Sequence, residues 1–356
     1  FPYTTLFRSA YLFVFSPALI LGDIAGDGGR ISIMIWVGVI FLYYLLATLM
    51  PIDKIIGRIY PVFAFALIFM ALALMVCLFV KWPSLPELWD GLGNLGESKG
   101  LLSGQPIFPC LFITIACGAV SGFHATQSPM MARCLTDERL GRPVFYGAMI
   151  TEGIVALIWA TVSSWFFFDG GAAEVGATVS AAAPDVVVKV SKGWLGVLGG
   201  ILAILGVVAA PITSGDTAFR SARLIVADFL HLNQKPVANR LMISIPLFLI
   251  AGVLLWYNIA DENGFNVIWR YFGWANQTLA VFMLWTATAY LVKFMKGLTY
   301  LITMIPAAFM TAVCTTYICV AKIGLGLPDS WNRAIGLATF VVSLVVFYIL
   351  YFRRRK

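Results

Sequence analysis

Long, uninterrupted apolar runs constrain this chain more than any other feature of its sequence. A helix needs about 20 mainly apolar residues to cross the roughly 30 Å hydrocarbon core of a bilayer, because each residue adds about 1.5 Å. Such runs recur along the chain, in which 61% of the 356 residues are hydrophobic and only 12% are charged. The mean hydropathy is +0.91. The sequence therefore predicts an all-α fold, a polytopic transmembrane helix bundle.

The runs define one partial span and about nine full spans. The partial span covers residues 10–21. The full spans lie near 31–50, 60–80, 106–127, 144–168, 194–214, 241–258, 265–291, 299–320 and 334–352. The first nine residues, FPYTTLFRS, fit neither a span nor a natural loop. We therefore interpret residues 1–9 as a non-native segment and residues 10–356 as the transmembrane domain.

Lys and Arg are distributed unequally between the two predicted sides of the membrane. Connecting segments on one side, which include the C-terminal RRRK, carry 15 of them, whereas those on the other side carry 7. Cations concentrate in cytoplasmic loops, so the C-terminus is predicted to be cytoplasmic. The net charge of +7 then reflects topology. We expect the lipid bilayer and no nucleic acid as a partner, because no soluble basic domain is predicted.

The most polar stretch inside an apolar span is ACGAVSGFHATQSPMMARC, residues 116–134. One interpretation is a structural His124, with Gly118 and Gly122 forming a G-x-x-x-G face for helix packing. The other is a helix that unwinds around Gly122 and exposes backbone groups to a substrate, as discontinuous helices do in secondary transporters. Histidine is also the residue type whose charge ordinarily changes near neutral pH, so proton coupling is a further role for His124 in this interpretation. The second interpretation predicts substrate-binding residues at Ser121, Gly122, Phe123, His124 and Gln127.

A second polar stretch is APITSGDTAFRSARLIVADF, residues 210–229, in which Pro211 and Gly215 are predicted to interrupt the preceding span. Hydroxyl and carboxylate oxygens are the ligands that sodium prefers, and a carboxylate also relays protons. The alternative is a surface pair between Asp216 and Arg220, which stand four residues apart. The stretch predicts ion-coupling residues at Thr213, Ser214 and Asp216.

Two further sites carry polar side chains within spans. Glu152 lies well inside its span, where it either couples an ion or pairs with a cation. Asn276 and Gln277, in WRYFGWANQTLAVF, lie near the middle of theirs, where they either bind substrate or bond across helices.

Three blocks, ACGAVSGFHATQSPMMARC, PITSGDTAFRSARLIVADF and WRYFGWANQTLAVF, together resemble the carbon starvation protein (CstA) family of membrane transporters, over roughly residues 10–356. The resemblance implies a secondary transporter of the inner membrane that imports peptides or small carboxylates such as pyruvate. It implies coupling to an H⁺ or Na⁺ gradient, no enzymatic activity and no cofactor other than such an ion. It also implies a LeuT-like inverted-repeat fold of the APC superfamily type. The family's N-terminal block is missing, so the chain resembles a C-terminal fragment.

Two other classes stay open at the level of sequence. An intramembrane aspartyl protease would use Asp216 together with a second catalytic aspartate inside a span, and we find no second one. An ion channel would differ from a carrier in showing no saturable, gradient-driven uptake. The sequence leaves open the substrate, the coupling ion and the oligomeric state.

Overall fold

The computed structural model describes residues 38–39, 41–44, 53–87, 89, 93, 98, 106–178, 183–203, 206, 209–260 and 264–351. In these ranges all regular elements are helical, and eleven of them are α-helices with defined bounds. These are α1 (Asp53–Lys81), α2 (Ile107–Ala119), α3 (Gly122–Cys134), α4 (Ala148–Phe168), α5 (Gly171–Glu174), α6 (Ala183–Ala203), α7 (Ala209–Phe229), α8 (Val237–Ala260), α9 (Gly264–Phe294), α10 (Leu301–Val320) and α11 (Asn332–Tyr351). Short 3₁₀ turns cover Glu138–Leu140 and Asp329–Trp331, and a π-helical turn covers Arg142–Gly147.

Five helical segments of the described chain are long and apolar enough to cross a membrane. They are Pro61–Lys81, Glu138–Phe168, Val237–Tyr257, Leu301–Val320 and Asp329–Tyr351. Each coincides with a run predicted from the sequence, so the prediction of a multi-pass helical protein is confirmed. The run at 265–291 lies inside α9, whereas that at 106–127 is divided between α2 and α3. The run at 194–214 is described as far as Ala203 and again from Ala209. The segment 1–9 and the partial span 10–21 lie outside the described residues, as does most of the run 31–50.

The chain forms two compact units, residues 1–88 with 150–260 and residues 89–149 with 261–356. In the first unit α1 packs against α6 and α7, and α7 packs against α8. Its largest core cluster is apolar and includes Met70, Leu74, Phe166 and Val190, all fully buried. Large apolar side chains such as Phe65 remain exposed on its surface. Broad apolar surface of this kind is typical of contact with lipid.

The second unit consists of α2, α3, α9, α10 and α11. Helix α10 packs against α9, α11 and α2, and α9 also contacts α3. The core contains Ile113 of α2, Leu284 of α9 and Val313 of α10. This packing holds α9 against both α2 and α3, which are consecutive along the chain.

Helix α7 corrects one prediction, because neither Pro211 nor Gly215 interrupts it. Pro211 is the third residue of α7, in the first turn, where a missing N–H removes no intrahelical hydrogen bond. Gly215 is a packing position, since an added Cβ would fall on the Tyr44 hydroxyl. The run 194–214 includes the last residues of α6, described to Ala203, and the first residues of α7, described from Ala209.

Candidate substrate site at a broken helix

The span that carries His124 is interrupted at Val120 and Ser121, directly before helix α3. Helix α2 ends at Ala119, Val120 has φ −140° and ψ 85°, and α3 starts at Gly122. The Val120 N–H still donates to the Ala116 carbonyl at 2.7 Å, so α2 is complete up to the break. The prediction that this span unwinds next to Gly122 is confirmed.

Ser121 and His124 together cap the start of α3. The Ser121 backbone N–H donates to His124 Nδ1 at 3.1 Å, and the His124 N–H donates to the Ser121 carbonyl at 3.0 Å. A side chain at the third helical position that reaches back to the N-cap N–H is half of a capping box, and His124 takes the place usually held by Glu or Gln. The half-buried imidazole therefore stabilises the break itself.

The same ring nitrogen has a second partner. His124 Nδ1 also lies 3.0 Å from the Ser121 carbonyl oxygen. A bare Nδ1 accepts from the Ser121 N–H, whereas a protonated Nδ1 donates to the Ser121 carbonyl. The imidazole thus has a hydrogen-bond partner on Ser121 in either protonation state.

Asn276 of α9 contacts the break directly. Its Nδ2 donates to Ser121 Oγ at 3.1 Å, and Ser121 Oγ lies 3.3 Å from its Oδ1. Both side chains are buried. A Cβ on Gly122 would lie 2.8 Å from both the backbone oxygen and Oδ1 of Asn276, so only glycine allows this approach. The Gly118 and Gly122 pair is therefore not one packing face among the described residues, because none of them lies within 4 Å of a Cβ placed on Gly118.

Gln277 of α9 forms a hydrogen bond to α2, the first half of the broken helix. Its Nε2 donates to the Ile113 carbonyl of α2 at 3.3 Å. Its Oε1 is buried and has no hydrogen-bond partner among the described residues. Buried acceptors are rarely left without a partner, so this amide oxygen is a position at which a solute or water would bind favourably. Asn276 and Gln277 both bond across helices.

The structure brings together Ser121, Gly122, His124, Asn276 and Gln277 in the second unit. Phe123 and Gln127 belong to α3, but their side chains lie outside the described residues. The predicted ion-coupling residues belong to the first unit. Glu152 is exposed on α4, in its second turn. Thr213, Ser214 and Asp216 lie in α7, and their side chains are also outside the described residues.

Five helical segments long and apolar enough to cross a membrane define a multi-pass membrane protein, in which one predicted span is interrupted at Val120 and Ser121. The chain belongs to the carbon starvation protein CstA family, whose model matches residues 23–192 and 169–317. No solved structure matches the chain.

Relatives with transport functions support the same class. The chain is 29% identical to the Escherichia coli peptide transporter CstA over 296 residues, which cover 65% of this chain and 41% of that protein. It is 28% identical to the pyruvate/proton symporter BtsT of Escherichia coli over 324 residues, covering 67% and 43%. A Haemophilus influenzae membrane protein is 46% identical over 176 residues, covering 42% and 47%. The chain thus spans less than half the length of these three relatives, and the transporter names agree with the expectation that it is not an enzyme.

Proposed function

We propose that this chain is part of a secondary active transporter of the inner membrane that imports peptides or small carboxylates such as pyruvate during carbon starvation. The observation that carries the proposal is the break between α2 and α3, capped by His124 and held by Asn276. Unwound backbone inside a membrane is tolerated only where protein buries it or a cavity adjoins it. The two transporter relatives, one named for peptides and one for pyruvate, fit both substrate classes.

Substrate would bind at the start of α3. The first turn of a helix has N–H groups without intrahelical acceptors, and the positive end of the helix dipole favours an anion there. In this turn the Ser121 and His124 N–H groups already have acceptors, so the N–H groups of Gly122 and Phe123 would be the donors to the substrate. Gln277 Oε1, on α9, has no hydrogen-bond partner among the described residues and would add an acceptor. Pyruvate and the C-terminus of a peptide both carry a carboxylate, which would accept hydrogen bonds from these N–H groups. The acceptor suits a donor group such as a peptide N–H.

Transport would proceed by alternating access in a LeuT-like inverted-repeat fold, with α2 and α3 as the broken first helix of the second repeat. Helix α7 lies two spans after this broken helix, and in this arrangement Thr213 and Ser214 are candidates for a sodium site. Proton coupling would use His124, since its Nδ1 has a partner in both protonation states. Glu152 and Asp216 are the further candidates for ion coupling. The unequal distribution of Lys and Arg supports a cytoplasmic C-terminus.

The test is uptake in proteoliposomes with labelled pyruvate and, separately, a labelled dipeptide, under an imposed pH gradient, a Na⁺ gradient or none. We expect saturable uptake that requires one of the gradients. The matched pair of variants is His124→Asn and His231→Asn, because His231 is the other histidine of the chain and lies exposed at the end of α7. Asn tolerates the positive φ of 56° at His231, so the control is unstrained.

We expect His124→Asn to abolish gradient-driven accumulation while His231→Asn retains it. Uptake that is linear in substrate concentration would indicate a pore. Uptake that is saturable and equal in both variants would remove His124 from the mechanism.

A further inference from the structure

A cavity of about 410 Å³ lies at one end of the second unit. Its walls come from the start of α2, the first part of α9, the end of α10 and the connection from α10 to α11. Its volume falls in the range of about 300–1,000 Å³ that small-molecule sites occupy. Cys110 in its wall precedes Ser121 by eleven residues, which is about 16 Å along a helix. The cavity is therefore distinct from the candidate site at the break.

Charge in the wall of the cavity is unbalanced. Arg270 and Lys322 supply two positive charges, and Asp329 supplies one negative charge. Among the residues that the structure describes, the salt-bridge criterion is met only by Lys81 and Glu174, in the first unit. Neither Arg270 nor Lys322 is therefore neutralised by an ion pair within the described part of the chain. An arginine in this situation keeps its five N–H donors for an anion.

The wall that carries Lys322 is held in place by backbone hydrogen bonds. The Leu325 N–H donates to the Ile318 carbonyl and the Leu327 N–H donates to the Cys319 carbonyl, both at 2.9 Å. The Tyr271 hydroxyl donates to the Ile323 carbonyl at 2.7 Å, which ties the connection to α9 next to Arg270. The cavity is thus bounded by three helices and a connection that hydrogen bonds hold in place, so its shape does not depend on a bound ligand.

We propose that this cavity binds carboxylate anions through Arg270 and Lys322, and that it receives the substrate before the substrate reaches the break at Ser121. A guanidinium matches a carboxylate with two parallel hydrogen bonds, and the ammonium of Lys322 adds a second positive charge. The distribution of Lys and Arg places this end of the second unit on the outer face. The identification of the anion as substrate rests on the proposed transport function, whereas anion binding by the cavity does not.

Cys110 offers a direct measurement, because it lines the cavity and is a free thiol. The other five cysteines are replaced by Ala, and the chain in detergent micelles is labelled with two methanethiosulfonate reagents, one bearing a sulfonate and one a trimethylammonium. The ratio of the anionic to the cationic labelling rate reports the potential in the cavity. We expect Arg270→Gln to lower this ratio at least about fivefold. Loss of the positive charge slows labelling by the anionic reagent and speeds up labelling by the cationic one. Arg333→Gln is the control, because Arg333 is exposed on α11 at the same end of the unit and does not line the cavity.

Protection from labelling then tests the ligand. We expect pyruvate to slow the labelling of Cys110 and the neutral analogue pyruvamide to leave it unchanged, with protection lost in Arg270→Gln. An unchanged rate ratio in Arg270→Gln, or equal protection by pyruvate and pyruvamide, overturns the proposal. Charge-dependent protection in a chain that fails to transport supports the anion site and contradicts the transport function, so the two failures are distinguishable.

Discussion

Asn276 Nδ2 lies 3.1 Å from Ser121 Oγ, and this contact joins residues 155 positions apart at the point where a broken helix restarts. Both side chains are at least nine-tenths buried. The contact is part of the break, since Ser121 directly precedes α3 and caps it. Its strength therefore decides how firmly the break is held.

A double-mutant cycle measures that strength. Ser121→Ala and Asn276→Ala should each destabilise the chain, and their coupling free energy should be about 1 kcal/mol, as for other hydrogen bonds between membrane helices. The measurement is unfolding in mixed micelles with increasing dodecyl sulfate. Thr286→Ala is the control, because the exposed Thr286 hydroxyl donates to the Phe282 carbonyl of its own helix at 2.8 Å. Additive effects of the first two substitutions would show that the contact contributes nothing to stability.

Gly122 and Gly118 should respond in opposite ways to substitution by alanine. Gly122→Ala places a Cβ 2.8 Å from two oxygens of Asn276, so the helices must separate. The expected loss is about 1–3 kcal/mol, the usual cost of overpacking. Gly118→Ala meets nothing within 4 Å, and it should be neutral or raise stability by up to about 1 kcal/mol through helix propensity. Equal effects in the same micelle titration would contradict the close approach of α3 to α9.

Substitution of Gln277 by leucine distinguishes a role of this residue in stability from a role in substrate binding. Gln277→Leu loses the hydrogen bond to the Ile113 carbonyl but also removes the unpaired buried Oε1. These effects oppose each other, so stability should change by no more than about 1 kcal/mol. If Oε1 binds solute, uptake in proteoliposomes should fall at least about tenfold, which corresponds to the loss of about 1.4 kcal/mol. Full uptake by a stable Gln277→Leu chain would exclude the amide oxygen as a ligand.

The salt bridge between Lys81 and Glu174 in the first unit should contribute little. The two side chains are 40% and 50% exposed, so water and salt screen the pair. Lys81→Met should lower stability by less than about 1 kcal/mol, and the difference should shrink further as the salt concentration rises. Ser84→Ala, which removes the neighbouring hydrogen bond to Asp169, gives a comparison that does not depend on salt. A large, salt-independent effect of Lys81→Met would show that the pair is shielded from water.

The sequence predicted the break beside Gly122 because small and polar residues interrupt an apolar run there. The same reasoning was wrong at Pro211 and Gly215, where α7 continues. The sequence alone does not distinguish a glycine required for close packing, such as Gly215 against Tyr44, from a glycine that permits unwinding. Only the neighbouring element distinguishes the two cases, and that neighbour is distant along the chain.

The cavity around Arg270 illustrates a second limit of sequence reasoning. Arg270 was visible near the start of its span, but Lys322 and Tyr317 come from a connection and a helix about 50 residues later. No spacing rule joins residues that far apart. Likewise, the amides at 276 and 277 were predicted as polar residues near mid-span, whereas their partners, Ser121 and Ile113, emerge only from the packing of α9 against both α2 and α3.

The adjacency of Asn276 and Gln277 has a mechanical consequence. Successive residues of a helix point about 100° apart, so α9 holds α2 and α3 on different flanks of its cylinder. A twist of α9 about its long axis must displace the two half-helices along different directions and so alter the width of the gap that separates them. Rotation of one helix would thereby change the geometry of the break, without any bend in that helix.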